Sequence, residues 1–264
     1  MDIRKAIVFD MDGTMFDTEP ISYHCWRDVS ARHGFDLDRS VFNRMLGRDN
    51  LRIRAICDDA FGPDYPYDDI CREKVALQLE YYRSHAIPIK PGLLHVLHYA
   101  REEGIPCAVA SSSPRTLIEY LLDKTGVAPF FSVVQSGEEV SHGKPDPDVF
   151  LLACDKAQVS PAEALVLEDS ESGILAAYAA GIPSIWIPDL ITIPPNVQAL
   201  AWRCCHSWKK CQDCWRKEIH NMTQTKRSRW LLLMTVFLGM LAAIAPLSTD
   251  MYLPALPSMM TLLA

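Results

Sequence analysis

The first two hundred residues are short of positive charge. Residues 1–201 carry 18 basic side chains against 30 acidic ones, in a chain of 264 residues whose formal net charge is -7. A nucleic-acid surface needs a basic face to neutralise phosphates, so the deficit argues against one. Paired cysteines are missing from the same stretch: Cys25, Cys57, Cys71, Cys107 and Cys154 stand singly in apolar or helical surroundings, with no cleavable signal-like run ahead of them. Isolated thiols of this kind are expected to stay reduced in a cytoplasm. There is no Walker loop either, because Gly137 and Gly143 are separated by five residues and Lys144 is followed by proline. Any anionic substrate must therefore be held by a few local charges.

What is there is apolar and alternating. Apolar residues make up 49% of the chain, enough to bury a sizeable core. The opening run KAIVFD is short, continuous and ends at Asp10, as expected of a strand buried on both faces of a parallel sheet. From Ile21 to about Arg83 the pattern is helical throughout, with no strand inside it, which predicts a helical insertion. After Lys90-Pro91-Gly92, helices alternate with the strands IPCAVAS, FSVVQS, ALVLED and IPSIWIP, and the Gly-Ile-Pro junctions at Gly104 and Gly181 mark matched helix stops and strand starts. The fold class is α/β, a doubly wound, Rossmann-like parallel sheet core with an inserted helical cap domain. Chemistry in such sheets gathers beyond the carboxyl ends of the strands.

Four strand ends carry polar residues. DMDGT places Asp10 and Asp12 two apart, so that in extended chain both face one reaction centre, and Gly13 permits a sharp turn. A calcium loop would need glycine and glutamate where Met15 and Ile21 stand, while an ordinary Asp-Gly turn fits the motif equally well. IPCAVAS runs into Ser111-Ser112-Ser113-Pro114, where Ser113 is placed to cap a helix that starts with proline; this is either a phosphate cradle or a plain capped helix. HGKPDPDVF sets Lys144 in a proline-rich turn, where a lone lysine is usually solvated. ALVLEDSESG ends in Glu168 and Asp169, which would also suit a helix dipole.

In this order, the four motifs resemble those of the haloacid dehalogenase superfamily of phosphotransferases, over residues 5 to about 190. The resemblance implies a core domain from 1–17 and 88–200 and a helical cap domain over 18–87. It implies Asp10 as the nucleophile that becomes an aspartyl-phosphate, and Asp12 as the general acid and then base. Ser111, Ser112 and Lys144 would hold the transferred phosphoryl group. Asp10, the main-chain carbonyl of Asp12, and Asp169 with help from Glu168 would hold a hard cation. Mg2+ is the expected cofactor, since an all-oxygen set of acids favours it and a carboxylate cannot approach a phosphate dianion without a charge between them.

Sugar phosphomutases of the β-phosphoglucomutase type share this catalytic set but place a histidine five residues after the aspartate of the Asp17-Thr18-Glu19-Pro20 stretch. Here that position is Ser22, and the wording is closer to phosphatases. The expected function is hydrolysis of a small phosphorylated metabolite, a sugar phosphate or nucleotide, with a mutase as the alternative. In LGRDN, Arg48 falls where relatives carry a substrate-facing loop, and it would pair with a second anionic group or stand solvated at a helix end.

Beyond residue 200 the composition changes. Residues 201–229 form a basic junction that holds Trp202, Trp208 and Trp215, and Cys204, Cys205, Cys211 and Cys214. Cys211 and Cys214, with Cys204, Cys205, His206 and His220, are candidate zinc ligands, though adjacent ligands fit such a site poorly. Eighteen uncharged residues then run from Trp230 to Leu247 behind Lys226, Arg227 and Arg229, which predicts a transmembrane helix over 230–250 with a cytoplasmic N-terminal side, followed by a short tail, 251–264. From Met222 the chain resembles the beginning of drug/proton antiporters of the major facilitator superfamily. One helix cannot form a transport pathway, so this implies a fusion product, or a cytoplasmic catalytic domain anchored in the inner membrane.

Overall fold

The computed structural model describes residues 5–190 and 192–205. Strand β1 (Ala6–Phe9) is buried at every residue, as a strand covered on both faces must be. Four helices follow it: α1 (Glu19–Arg32), α2 (Arg39–Met45), α3 (Asn50–Phe61) and α4 (Tyr67–Ser84). Their starts are set by local chemistry. Pro20 sits in the first turn of α1, the Asp38 carboxylate accepts from the Ser40 and Val41 amides at α2, and Asp49 accepts from the Arg52 amide at α3. These helices close on a core of their own around Trp26, Phe42, Tyr65, Tyr67 and Ile70.

The alternating region then delivers α5 (Leu93–Glu102), β2 (Cys107–Ser111), α6 (Arg115–Thr125), β3 (Phe131–Ser136), α7 (Asp148–Lys156), β4 (Ala164–Glu168), α8 (Glu171–Ala179) and β5 (Ser184–Trp186). The strands make a parallel sheet in the order β3-β2-β1-β4-β5, extended by one more strand described below. The chain winds outward from β1 to β3, then returns to the other side of β1 with β4. That reversal puts the topological switch point between β1 and β4, beyond whose carboxyl ends a ligand crevice opens. Alanines at 153, 176 and 177 let α7 and α8 lie close to the sheet, against Val8, Ala108 and Val166.

The sheet runs past residue 200, where the composition marks a junction. After the short α9 (Pro195–Gln198), β6 (Arg203–Cys204) pairs in parallel with β5, and the Trp202 and Cys205 amides donate to Ser184 and Trp186 carbonyls at 2.8 and 2.9 Å. Two residues are too few to leave an apolar run or a period in the sequence, while the open edge of β5 supplies hydrogen-bond partners. Within this stretch Cys204 is exposed and Cys205 buried. The rest of the junction, the expected helix over 230–250 and the tail lie outside the described residues. Among the described residues no helix is long and apolar enough to cross a membrane.

Candidate active site

Asp10 lies one residue beyond β1, where its amide still donates to the Leu167 carbonyl of β4 at 2.9 Å. The chain then turns at Gly13, whose φ of +80° is left-handed and whose missing Cβ would overlap the Asp169 carboxylate. Close approach of the first and fourth strand ends therefore depends on this glycine. Thr14 Oγ1 donates to Asp169 Oδ1 at 2.8 Å, and Trp186 Nε1 on β5 donates to the Asp169 carbonyl at 3.0 Å.

Lys144 draws three strand ends together. Its Nζ donates to Asp10 Oδ1 at 2.5 Å, to Glu168 Oε2 at 2.9 Å and to the Ala110 carbonyl at 3.3 Å, and the residue is 1% exposed. Far from being a solvated loop lysine, it is the buried counterion of the acidic cluster. The second Glu168 oxygen accepts from the Asp169 amide (3.2 Å), the Ser170 amide (3.0 Å) and the Ser170 hydroxyl (2.8 Å). Both Glu168 oxygens are thus engaged, which suits a carboxylate that supports its neighbours.

The Asp12 carboxylate is clamped from two sides: Thr18 Oγ1 donates to Oδ1 at 2.6 Å, Ser113 Oγ to Oδ2 at 2.7 Å, and Ser111 Oγ reaches Oδ2 at 3.4 Å. This corrects the capping role expected of Ser113. Helix α6 starts at Arg115 behind Pro114 with no side-chain cap, and the Ser113 amide instead donates to Ser111 Oγ at 3.0 Å. A hydroxyl facing a carboxylate gains a charge-assisted bond that outweighs a neutral cap.

Burial, then the Glu168 charge, pushes the Asp10 carboxyl well above the usual carboxylate range, against the pull of Lys144. Burial also raises Asp169, with Glu168, Asp10 and Glu19 adding to it. Lys144 is held above its ordinary value, since Asp10 and Glu168 outweigh the opposing effect of burial. One ammonium does not balance three buried carboxylates whose oxygens, on Asp10, Glu168 and Asp169, lie within 4.8 Å of one another. Such an all-oxygen, over-negative donor set fits a hard dication such as Mg2+.

Above this cluster lies a cavity of about 560 Å3, bounded by the strand ends below and by residues of α1, α3 and α4 above. Asp10, Asp12, Ser111, Ser112, Lys144, Glu168, Asp169 and Arg48 all line it, so the residues singled out in the sequence meet at one place. Arg48 is half-buried and pairs with Glu171 at 3.6 Å. Ser22, standing where the mutases carry histidine, lines the cavity too, whereas His24 is exposed. Thr14 and Thr18 join the site without belonging to the four motifs, and their places beside the two aspartates are the signal that marks them. Glu19, Lys74 and Gln78 also line the cavity, but their helical positions alone do not tell which way they face.

A family model for haloacid dehalogenase-like hydrolases matches residues 4–181, and the chain belongs to that family. It is an enzyme, a phosphatase of the family. Among its relatives, a validoxylamine A 7'-phosphate phosphatase from Streptomyces hygroscopicus subsp. limoneus is 33% identical over 67% of this chain and 83% of its own length. The fructose-1-phosphate phosphatase YqaB of Escherichia coli K12 is 32% identical over 68% of this chain and 94% of its own. The crystal structure of CbbY from Rhodobacter sphaeroides in complex with phosphate matches with a TM-score of 0.71 at 29% identity, covering 78% of this chain and 95% of that one.

Proposed function

We propose that the chain hydrolyses a small phosphorylated sugar or a related phosphomonoester through an aspartyl-phosphate on Asp10. The observation that carries this reading is the Lys144 contact with Asp10 and Glu168, set beside a clamped Asp12 on one cavity. In the first step a carboxylate oxygen of Asp10 attacks phosphorus while the bond to the leaving oxygen breaks, and Asp12 supplies that oxygen with its proton. In the second step Asp12 takes a proton from water as the water oxygen attacks phosphorus. The phosphorus–Asp10 bond breaks, freeing the carboxylate and inorganic phosphate. Lys144 offsets charge on the transferred oxygens, Ser111 and Ser112 donate to them, and Thr18 and Ser113 hold Asp12 in place between steps. Asp10, Asp169 and the Asp12 carbonyl, with Glu168 behind them, would hold Mg2+, which would supply the positive charge that lets a carboxylate meet a phosphate dianion.

In this reading residues 18–87 act as a cap over a core of residues 1–17 and 88–200. The relatives named as phosphatases of sugar-like phosphates favour the same substrate class, and Ser22 at the cavity wall favours hydrolysis over the mutase alternative. The test is release of inorganic phosphate from a panel of sugar phosphates and nucleotides with Mg2+. Asp10→Asn is expected to lower kcat by about 10⁴-fold or more, and chelator to abolish turnover. Turnover that survives either change, or isomerised sugar phosphate without free phosphate, overturns the reading.

A further inference from the structure

The start of α3 rests on the turn that carries Lys144, through an arginine to which the chemistry above gives no part. Asp49 caps the helix by accepting from the Arg52 amide at 2.8 Å, and its carboxylate also pairs with the Arg52 guanidinium. From there the guanidinium reaches across to the core. Nη1 donates to the Lys144 carbonyl at 3.3 Å and, at the longer distance of 3.5 Å, to the Gly143 carbonyl, while Nη2 donates to Asp146 Oδ2 at 3.1 Å. The fit is close, since a Cβ on Gly143 would lie 2.5 Å from the Asp49 Cβ.

Two properties set Arg52 apart from the cations that face the cavity. It stands outside the cavity wall, which its neighbours Leu51 and Ile53 line, so it does not reach a substrate. Its ion pair is also a poor source of stability, because the Arg52 and Asp146 side chains are 39% and 45% exposed. What the contact does fix is the main chain of Lys144. The ammonium of that lysine has to meet Asp10 and Glu168 at hydrogen-bond distance in a site where it is 1% exposed. A shift of about 1 Å at such a group costs about 10²-fold in rate.

We infer that Arg52 is a positioning residue for Lys144: by bonding the Lys144 carbonyl and Asp146 from the inserted helices, it sets the ammonium for the charge that develops on the transferred phosphoryl group. This rests on the phosphatase reading of the Asp10 site and names a residue outside the cavity on which the rate depends. The experiment measures kcat, KM, Tm and inhibition by orthovanadate and inorganic phosphate, on the best phosphomonoester of the panel. The proteins are the wild type, Arg52→Gln, Arg52→Lys, Asp146→Asn and the double variant Arg52→Gln/Asp146→Asn, with Arg44→Gln as control, since Arg44 pairs with Asp59 within the inserted helices. Arg52→Gln is expected to lower kcat by about tenfold or more, with KM within about twofold. Vanadate, whose five-coordinate form imitates phosphorus during transfer, should bind that variant about tenfold more weakly, and phosphate less than about threefold more weakly. Arg52→Lys should recover part of kcat, Asp146→Asn should lose about threefold, and the double variant should fall no further than Arg52→Gln alone. Tm should drop by no more than about 3 °C in Arg52→Gln, and kcat of Arg44→Gln should stay within about twofold of wild type.

An Arg52→Gln enzyme with wild-type kcat overturns the inference, as does a raised KM at unchanged kcat, which would mark Arg52 as a substrate contact. Losses that multiply in the double variant, or an equal loss in Arg44→Gln, overturn it too, the latter by marking the effect as a general loosening of the inserted helices. Should Arg52→Gln fail to fold, Arg52→Lys and Asp146→Asn carry the same test through kcat and vanadate. A wild type that releases phosphate from no phosphoester would instead bring down the phosphatase reading itself, and this inference with it.

Discussion

Lys144→Met removes the one ammonium that Asp10 and Glu168 share and leaves a side chain of similar length. The lysine is 1% exposed, Glu168 1% and Asp10 7%, so water cannot take its place. Breaking a buried ion pair by deleting one partner costs about 3–5 kcal/mol, a large part of the ~5–15 kcal/mol that holds a typical domain folded. Asp10 and Asp169 already lie above their usual range, so protonation will relieve part of the loss at low pH. Acids raised in the folded state stabilise it below their ordinary pKa and lose that contribution as pH rises. The deficit of Lys144→Met should therefore grow with pH.

The assay is urea unfolding in chelator from pH 5 to 8, with Lys144→Met/Glu168→Gln as a second arm. Neutralising Glu168 should return part of the loss, leaving a coupling of about 1 kcal/mol or more between the two sites. Saturating Mg2+ should return more, since a ligand at a hundred times its Kd adds about 2.7 kcal/mol. A loss under about 1 kcal/mol in chelator, or strict additivity of the two substitutions, refutes the account of Lys144 as the counterion of the cluster.

Two further outcomes test the geometry. Gly13→Ala puts a Cβ into the Asp169 carboxylate at a φ of +80°, so it should cost about 1–2 kcal/mol of stability and about 10²-fold in kcat, and wild-type turnover of the variant would contradict the packing described. Burial, with the charges of Asp189 and Asp12, raises the Glu19 carboxyl from 4.5 to about 8. The stability it contributes is full below pH 4.5 and lost as pH rises through 8, at up to ~1.4 kcal/mol per pH unit. In chelator Glu19→Gln should flatten that slope, and identical slopes for both proteins would show that Glu19 is charged when folded.

The sheet and its catalytic ends were legible because they rest on local signals. Continuous apolar runs mark β1, β2, β4 and β5, and the first three end at polar residues beside the switch point: Asp10 just past β1, Ser111 on β2 and Glu168 on β4. The inserted helices were readable for the same reason, through their period. What the sequence hid depends on partners far along the chain. Ser113 looks like a cap until Asp12, 101 residues earlier, is placed within 2.7 Å of it. Lys144 looks solvated until three strand ends close around it. Lys74 and Gln78 sit on an ordinary amphipathic helix, and only the position of α4 over the strand ends turns them toward a cavity. Strand β6 needs the open edge of β5 before two residues in extended form mean anything.

The four inserted helices leave and rejoin the core at neighbouring points. The Asp17 amide donates to the Pro88 carbonyl, the Lys90 amide to the Met15 carbonyl, and Lys90 Nζ bonds Asp17 at 3.2 Å. Phe16 and Ile89 form a bridge between the two crossings. In a drawing of the chain as a thread, the insertion is a loop tied off at its neck, and the sheet's register does not depend on what the loop contains. On the function proposed above, that module could be exchanged for one of another length while Asp10 and the strand ends around it stay in place. Substrate choice would then be inherited separately from the reaction.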